Sequence, residues 1–309
     1  MLFDGLTLLS KKRSPYYGNS EIVLGHCLRG LPRDSYFIAS KCGRYGDNDF
    51  DFSAARVQKS VTESIAKLGC QYLDLIQLHD IEFADIAQLV SETLPALEAL
   101  KEKKLVRFIG ISSYVLEKFA HVLELSSAVD TVQTYCRYSL VDNTLLDLMP
   151  YLKRKGIGVI NGSPLSMGLL TTSGPPPWHS APSNVRSACV QMSHYCRQND
   201  ANISALAMRY AVQSGQPMLT LTGAKTREML RMNVKAASDR SNPAAYKKLL
   251  QGLFRIAKGE PETTVVKVNG AHNWICALNH DLGGQEAGTG EVRKEKGVGD
   301  DDDAGGLIL

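Results

Sequence analysis

Between residues 36 and 237, six short apolar runs alternate with longer segments whose apolar residues recur at helical spacing. The clearest run, Leu73–Leu78, has little polar interruption and stops at His79 and Asp80. Such a run is typical of a strand that is buried on both faces, as in a parallel sheet covered by helices. The alternation predicts parallel β-α units. Six strands are more than a small sheet needs and fewer than the eight of a closed β/α barrel.

Polar residues stand at the ends of the predicted strands. The strands are expected at residues 36–41, 73–79, 106–111, 131–135, 157–161 and 218–222. Their end residues are Lys41, His79, Ser112, Gln133, Ser163 and Gly223. Parallel β/α units place their carboxyl ends on one face, where barrel enzymes keep their chemistry. We therefore expect these side chains to converge, which favours an active site over a structural histidine that merely closes a strand.

Length and composition exclude several classes of function. With 309 residues, 44% of them hydrophobic, the chain can bury one large core. A net charge of +3 without a basic stripe argues against a nucleic-acid or membrane partner. Seven scattered cysteines, without metal-ligand spacing or a signal peptide, predict a reduced cytoplasmic protein with no metal site. A Gly-x-Gly-x-x-Gly fingerprint after a first strand is absent, which argues against a Rossmann domain.

Four motifs occur in an order that resembles the aldo-keto reductases. They are SPYYG at 14–18, IASKCGRY at 38–45, HDIEF at 79–83 and SPLSMGLL at 163–170. The most similar branch is that of the L-galactose dehydrogenases and their animal relatives, and the resemblance covers about residues 14–237. It implies an α/β fold of the TIM barrel type, a nicotinamide cofactor across the C-terminal face, and hydride transfer to or from a carbonyl carbon.

The resemblance implies three catalytic residues. Tyr17 matches the general acid/base, Lys41 the lysine that lowers the pKa of that tyrosine, and His79 the residue that orients the carbonyl. A phenol with a pKa near ~10 is a poor base at neutral pH. A neighbouring ammonium stabilises the phenolate, while an imidazole N–H holds the substrate oxygen. The family's catalytic aspartate is replaced by Lys12, so a catalytically impaired dinucleotide-binding relative or a truncated isoform is the alternative.

The resemblance also implies a cofactor site along the later strand ends. The matching residues are Ser112, Ser113 and Gln133 at the nicotinamide, Ser163, Leu165 and Met167 at the pyrophosphate, Gly223, Ala224 and Lys225 at the adenosine phosphate, and Asn233 at the adenine. Gly162 stands where many members stack a tyrosine on the nicotinamide. Met229 stands where phosphate-selective members often have arginine, so NAD is slightly favoured over NADP, although Lys225 could bind a 2′-phosphate.

Substrate and domain boundaries follow from the same resemblance. The branch suggests an L-galactose-like aldose or a small aldehyde, with Tyr45, Tyr138, Trp178 and His179 as candidate pocket walls. The family places two strands and one helix before the tyrosine loop, and the thirteen residues before Ser14 are too few to form them. We therefore expect an atypical segment at 1–13 and, at 14–257, a barrel that lacks its first two strands and first helix. Residues 258–309 are expected to form a disordered or atypical tail.

Overall fold

A computed structural model describes residues 19–213, 215–217, 219–224 and 226–258, together with the backbone of Gly306–Ile308. The strands are β1 (Ala39–Cys42), β2 (Leu73–Leu78), β3 (Val106–Ser113), β4 (Thr131–Tyr135), β5 (Gly158–Gly162), β6 (Leu219–Gly223) and β7 (Gly306–Ile308). The predicted segment 1–13, Tyr17, Lys225 and nearly all of the predicted tail lie outside the described residues.

Helices precede, separate and follow strands β1 to β6 along the chain. They are α1 (Ser20–Leu28), α2 (Ala54–Leu68), α3 (Ile86–Gln88), α4 (Leu94–Glu102), α5 (Leu116–Leu125), α6 (Leu145–Arg154), α7 (Ser183–Gln198), α8 (Ile203–Gln213), α9 (Arg227–Ser238) and α10 (Pro243–Lys258). A π-helical turn, Leu89–Thr93, joins α3 to α4. Pro95 occupies the first turn of α4, where its missing N–H costs least.

Strands β1 to β6 lie side by side in chain order and are all parallel, as the sequence predicts. The short β7 pairs antiparallel with β6. A parallel sheet in chain order, with helices between its strands, is the arrangement of a β/α barrel. Within the described residues the sheet ends at β1 and β7, so the architecture is a curled half-barrel that lacks part of the TIM barrel.

The first strand begins later than the sequence predicts. The Arg33 guanidinium donates to the Tyr36 carbonyl at 3.0 Å, and the Ile38 N–H donates to Asp74 Oδ2 at 2.7 Å. Side chains therefore satisfy backbone groups just before Ala39 that a longer strand would have paired in its ladder.

Two hydrophobic clusters form the core. The larger packs the sheet against α1, α2, α4, α5 and α6. The smaller joins α7, α8 and α10, and it includes Cys189 and Cys196 on α7. Phe108, a residue of β3, is 42% exposed.

Candidate active site

The strand register brings four of the predicted site residues together. Lys41 on β1 is level with Gln77 on β2, and Ser112 on β3 is level with Gln133 on β4. His79 directly follows β2, and its backbone N–H donates to the Cys42 carbonyl at 2.8 Å. Because the side chains of a strand alternate between faces, residues two apart, such as Gln77 and His79, point the same way. The sheet thus gathers polar side chains along its carboxyl edge.

Lys41 is a buried cation at the end of β1. Its side chain is 7% exposed, and Lys41 Nζ donates to the Tyr135 hydroxyl oxygen at 3.1 Å. An ammonium that is removed from water needs such charge-assisted hydrogen bonds. Tyr17, the predicted acid/base partner of Lys41, lies outside the described residues, so its role stays a prediction.

His79 is 2% exposed, and its environment disfavours the imidazolium. Burial, followed by the positive charges of Lys41 and Arg44, lowers the pKa of His79 well below its ordinary value of 6.5. The ring is therefore neutral at physiological pH, with one N–H to donate and one nitrogen to accept. A neutral imidazole of this kind can hold and polarise a carbonyl oxygen without protonating it.

Asp80, to which the sequence analysis assigns no catalytic role, lies beside His79 at the same strand end. Its backbone lies in the left-handed region at φ 57°, its N–H donates to Ser112 Oγ at 3.1 Å, and its carboxylate accepts from Arg44 at 2.6 Å. Asp80 Oδ1 is 3.6 Å from His79 Nε2. Burial raises the pKa of Asp80, against the opposing effects of the Arg44 hydrogen bond and of the Lys41 and Arg44 charges. Its position directly after the strand was the signal available in the sequence.

The predicted nicotinamide contacts lie in the interior of the half-barrel. Ser112, Ser113 and Gln133 are completely buried. Gln77 Nε2 donates to Gln133 Oε1 at 3.0 Å. The remaining amide atoms, Gln133 Nε2 and Gln77 Oε1, are buried and have no hydrogen-bond partner within the described part of the chain. Ser113 Oγ accepts from the Val115 N–H at 2.9 Å just before α5 begins, so this serine has a local structural role.

The predicted pyrophosphate residues lie on a tight turn after β5. Ser163, Ser166 and Met167 have φ values of 57°, 47° and 50°. The Tyr114 hydroxyl contacts Met167 Sδ at 3.8 Å, while Leu165 packs against the smaller core cluster. These contacts hold the turn between Tyr114, which follows β3, and the cluster of α7, α8 and α10, and its role at the pyrophosphate stays a prediction.

The predicted adenosine end lies at the junction of β6 and α9. Asn233 Nδ2 donates to the Gly223 carbonyl at 3.1 Å, which ties α9 to the end of β6. Thr226 caps α9 by accepting from the Met229 N–H at 3.2 Å. Gly223 and Ala224 therefore precede a helix N-terminus, which favours anions.

Tyr135 is a site residue that sequence reasoning missed. Besides contacting Lys41, its ring lies against Gly162, where an added Cβ would be 2.9 Å from Tyr135 Cδ1 and 2.9 Å from the Thr134 carbonyl oxygen. The Tyr114 ring packs beside it, with centroids 4.8 Å apart. Because Tyr135 is two residues beyond Gln133 on β4, the strand period placed both on one face.

Two of the four predicted pocket walls are wrong. Tyr138 is 2% exposed and stacks on Tyr210 at 5.4 Å, so it belongs to the core. His179 is buried, with Nε2 3.1 Å from the Ser166 carbonyl oxygen, and it holds the loop rather than facing a substrate. Trp178 is exposed and Tyr45 is half-buried beneath Arg56, so both stay candidates.

In the part of the chain that the structure describes, no helix is both long and apolar enough to cross a membrane. The same residues contain no group of three or more His, Cys, Asp or Glu side chains arranged to hold a metal ion.

Comparison with known proteins agrees with this geometry. The model of the aldo/keto reductase family matches residues 13–249. L-galactose dehydrogenase of Arabidopsis thaliana is 45% identical over 232 residues, which are 73% of this chain and 72% of that protein. D-arabinose 1-dehydrogenase of Saccharomyces cerevisiae is 36% identical over 212 residues, covering 64% of this chain and 63% of that one. The chain thus spans less than two thirds of the yeast protein.

The fold comparison points the same way. An aldo-keto reductase from Bacillus halodurans, in its holo form, superposes with a TM-score of 0.63 at 24% identity, over 81% of this chain and 80% of the other. The half-barrel, the buried polar residues at its strand ends and the similarity to these proteins together define the class. The protein is an oxidoreductase built on a β/α barrel framework. The chain belongs to the aldo/keto reductase family.

Proposed function

We propose that this protein transfers hydride between a nicotinamide dinucleotide and the carbonyl or hydroxyl carbon of a sugar, an aldose resembling L-galactose, or of a small aldehyde. The sugar is favoured because two relatives are named as sugar dehydrogenases. The observation that carries the proposal is a buried Lys41 on the strand beside a buried His79 whose pKa is lowered. We propose the cytoplasm as the location.

Each catalytic side chain has a distinct task in this proposal. A nicotinamide dinucleotide, when bound, would supply or accept the hydride. Tyr17 gives a proton to, or takes one from, the substrate oxygen, and the Lys41 ammonium stabilises its phenolate. His79, neutral at working pH, donates its N–H to that same oxygen and fixes the carbonyl.

The residues at the predicted ring site fit a carboxamide. Gln133 Nε2 is a buried donor and Gln77 Oε1 a buried acceptor, both unpartnered within the described residues. Leaving such groups unpaired costs about 1–3 kcal/mol each, and a primary carboxamide offers the complementary acceptor and donor. Ser112 Oγ accepts from the Asp80 N–H and keeps its own proton to donate.

The phosphate side favours NAD slightly over NADP. Ser163, Leu165 and Met167 would line the pyrophosphate, and Gly223, Ala224 and Lys225 would meet the adenosine phosphate. Asn233 would contact the adenine. Met229, in the first turn of α9, is 42% exposed and offers no charge for a 2′-phosphate.

A cofactor titration followed by stopped-flow turnover tests the proposal. We expect NAD to quench protein fluorescence and L-galactose to produce NADH absorbance. Lys41→Met and His79→Gln should lower kcat by about 10²–10⁴-fold, while Lys59→Met, which removes an exposed amine, should not. If aldoses give no NADH while simple aldehydes consume NADPH, the sugar assignment is wrong. Binding without any turnover would establish the alternative, a dinucleotide-binding relative that has lost activity with the aspartate that Lys12 replaces.

A further inference from the structure

We infer that Tyr135 is a positioning residue, whose hydroxyl oxygen fixes the Lys41 ammonium beside the reacting groups. The inference rests on the proposed function, because it assigns a role to Lys41 in stabilising the acid/base phenolate. It adds a residue that belongs to a different strand from Lys41 and is 94 positions away from it.

Lys41 needs an external partner to have a defined position. A lysine carries its charge on a flexible four-carbon stem, so the backbone alone does not determine where the ammonium lies. Here the stem starts at β1 and the ammonium reaches the end of β4, where Nζ lies 3.1 Å from the Tyr135 oxygen. The same Nζ is 5.6 Å from the centre of the Tyr135 ring. The Tyr135 hydroxyl oxygen on β4 therefore accepts a hydrogen bond from an ammonium whose side chain begins on β1.

Tyr135 is itself held rigidly. Its register partner on β5 is Gly162, and the space that a side chain at 162 would need is filled by the Tyr135 ring. The Tyr114 ring packs against Tyr135 at an interplanar angle of 31°. An acceptor confined in this way can hold a flexible donor, whereas a mobile one could not.

The hydroxyl of Tyr135 stays neutral. Burial, followed by the negative charge of Asp80, raises the pKa of Tyr135 above its ordinary value of 10. A neutral phenol accepts a hydrogen bond without cancelling the positive charge of Lys41, so that charge stays available to stabilise a second, ionising phenol. Among the described residues, the charges of Asp80 and Glu82 act on Tyr135, and the charge of Lys41 acts on His79 and Asp80. Arg44 in turn acts on His79 and Asp80.

The first test needs neither cofactor nor turnover. Trace acetylation of Lys41 in the free protein, followed by mass spectrometry, reports how firmly the amine is held. We expect Tyr135→Phe to accelerate labelling of Lys41 about tenfold, because the variant removes a charge-assisted hydrogen bond and keeps the ring. Tyr151→Phe is the matched control, since its hydroxyl donates to Glu124 at 2.6 Å away from the strand ends. Equal labelling in the two variants overturns the inference.

The second test uses turnover. If Lys41 loses its fixed position, the phenolate form of Tyr17 is less stabilised. Tyr135→Phe should then lower kcat about tenfold near neutral pH, move the basic limb of the kcat–pH profile upward, and leave the KM for cofactor unchanged. A profile identical to that of Tyr151→Phe overturns the inference.

Should wild-type protein turn over no substrate, the proposed function fails, while the labelling of Lys41 still decides the inference. If Tyr135→Phe lacks a cooperative melt, Tyr135→Leu, which also lacks an acceptor, replaces it in both tests.

Discussion

Arg44 Nη1 donates to Asp80 Oδ2 at 2.6 Å, directly after His79 at the end of β2. The Asp80 side chain is 3% exposed and that of Arg44 is 20% exposed. The pKa of Asp80 is nevertheless raised, because burial outweighs the Arg44 hydrogen bond and charge. The pair therefore offsets the desolvation of this carboxylate only in part.

Removing the arginine should cost more than removing both partners. Arg44→Met leaves a buried carboxylate uncompensated and should lower the free energy of unfolding by about 3 kcal/mol. Adding Asp80→Asn to Arg44→Met should recover part of that loss, because no unpaired charge then remains. Urea unfolding of the two single variants and the double variant measures the coupling. Strictly additive losses would contradict this account.

Stability should fall when the pH drops below about 6.5, in part because of His79. The pKa of this histidine is lowered in the folded protein, so the unfolded chain takes up a proton that the folded protein does not. The contribution is therefore fully present above 6.5, and it is lost as the pH falls towards the lowered folded value. Thermal melts from pH 8 to pH 5 should show a smaller decline for His79→Gln than for wild type. Burial raises the pKa of Asp80 and of Glu82, so these two carboxylates make stability rise as the pH falls through their own titration range. The informative quantity is therefore the difference in melting temperature between wild type and His79→Gln at each pH.

Gly162→Ala should reduce both stability and turnover. The added Cβ would be 2.9 Å from the Thr134 carbonyl oxygen and 2.9 Å from Tyr135 Cδ1, so the Tyr135 ring must move. Overpacking of this kind typically costs about 1–3 kcal/mol. A moved ring also shifts the oxygen that receives Lys41 Nζ. Unchanged melting temperature and unchanged kcat would show that the ring has room to adjust.

A second buried carboxylate stabilises the fold at the opposite end of β2. Asp74 accepts from Arg33 at 2.7 Å, from Arg107 at 2.9 Å and from the Ile38 N–H at 2.7 Å. Asp74→Ala should lower the free energy of unfolding by about 3–5 kcal/mol, because two cations and one N–H lose their acceptor. Glu124→Gln, at an exposed ion pair with Lys155, should cause no measurable change in urea unfolding. A similar loss in both variants would contradict the argument from burial.

Much of the fold could be predicted because it depends on local pattern. A buried strand is recognisable from a short apolar run, and the α2 boundaries follow from Ser53, which accepts from the Arg56 N–H, and from Gly69, whose φ is 63°. Once the strands are parallel, the side chains at their carboxyl ends must meet, which is why Lys41, His79, Ser112 and Gln133 were predictable as a group. Tyr135 was within reach of the same rule and was overlooked.

The sequence by itself determined that parallel β-α units form and that their polar ends share one face, because both follow from periodicity along the chain. Only the tertiary structure decided that Tyr138 and His179 are buried, that Asp80 pairs with Arg44, and that the Lys41 ammonium ends at Tyr135. These outcomes depend on which side chains meet across the curvature of the sheet and on how much water each loses. Neither quantity is encoded in the spacing of residues along one strand.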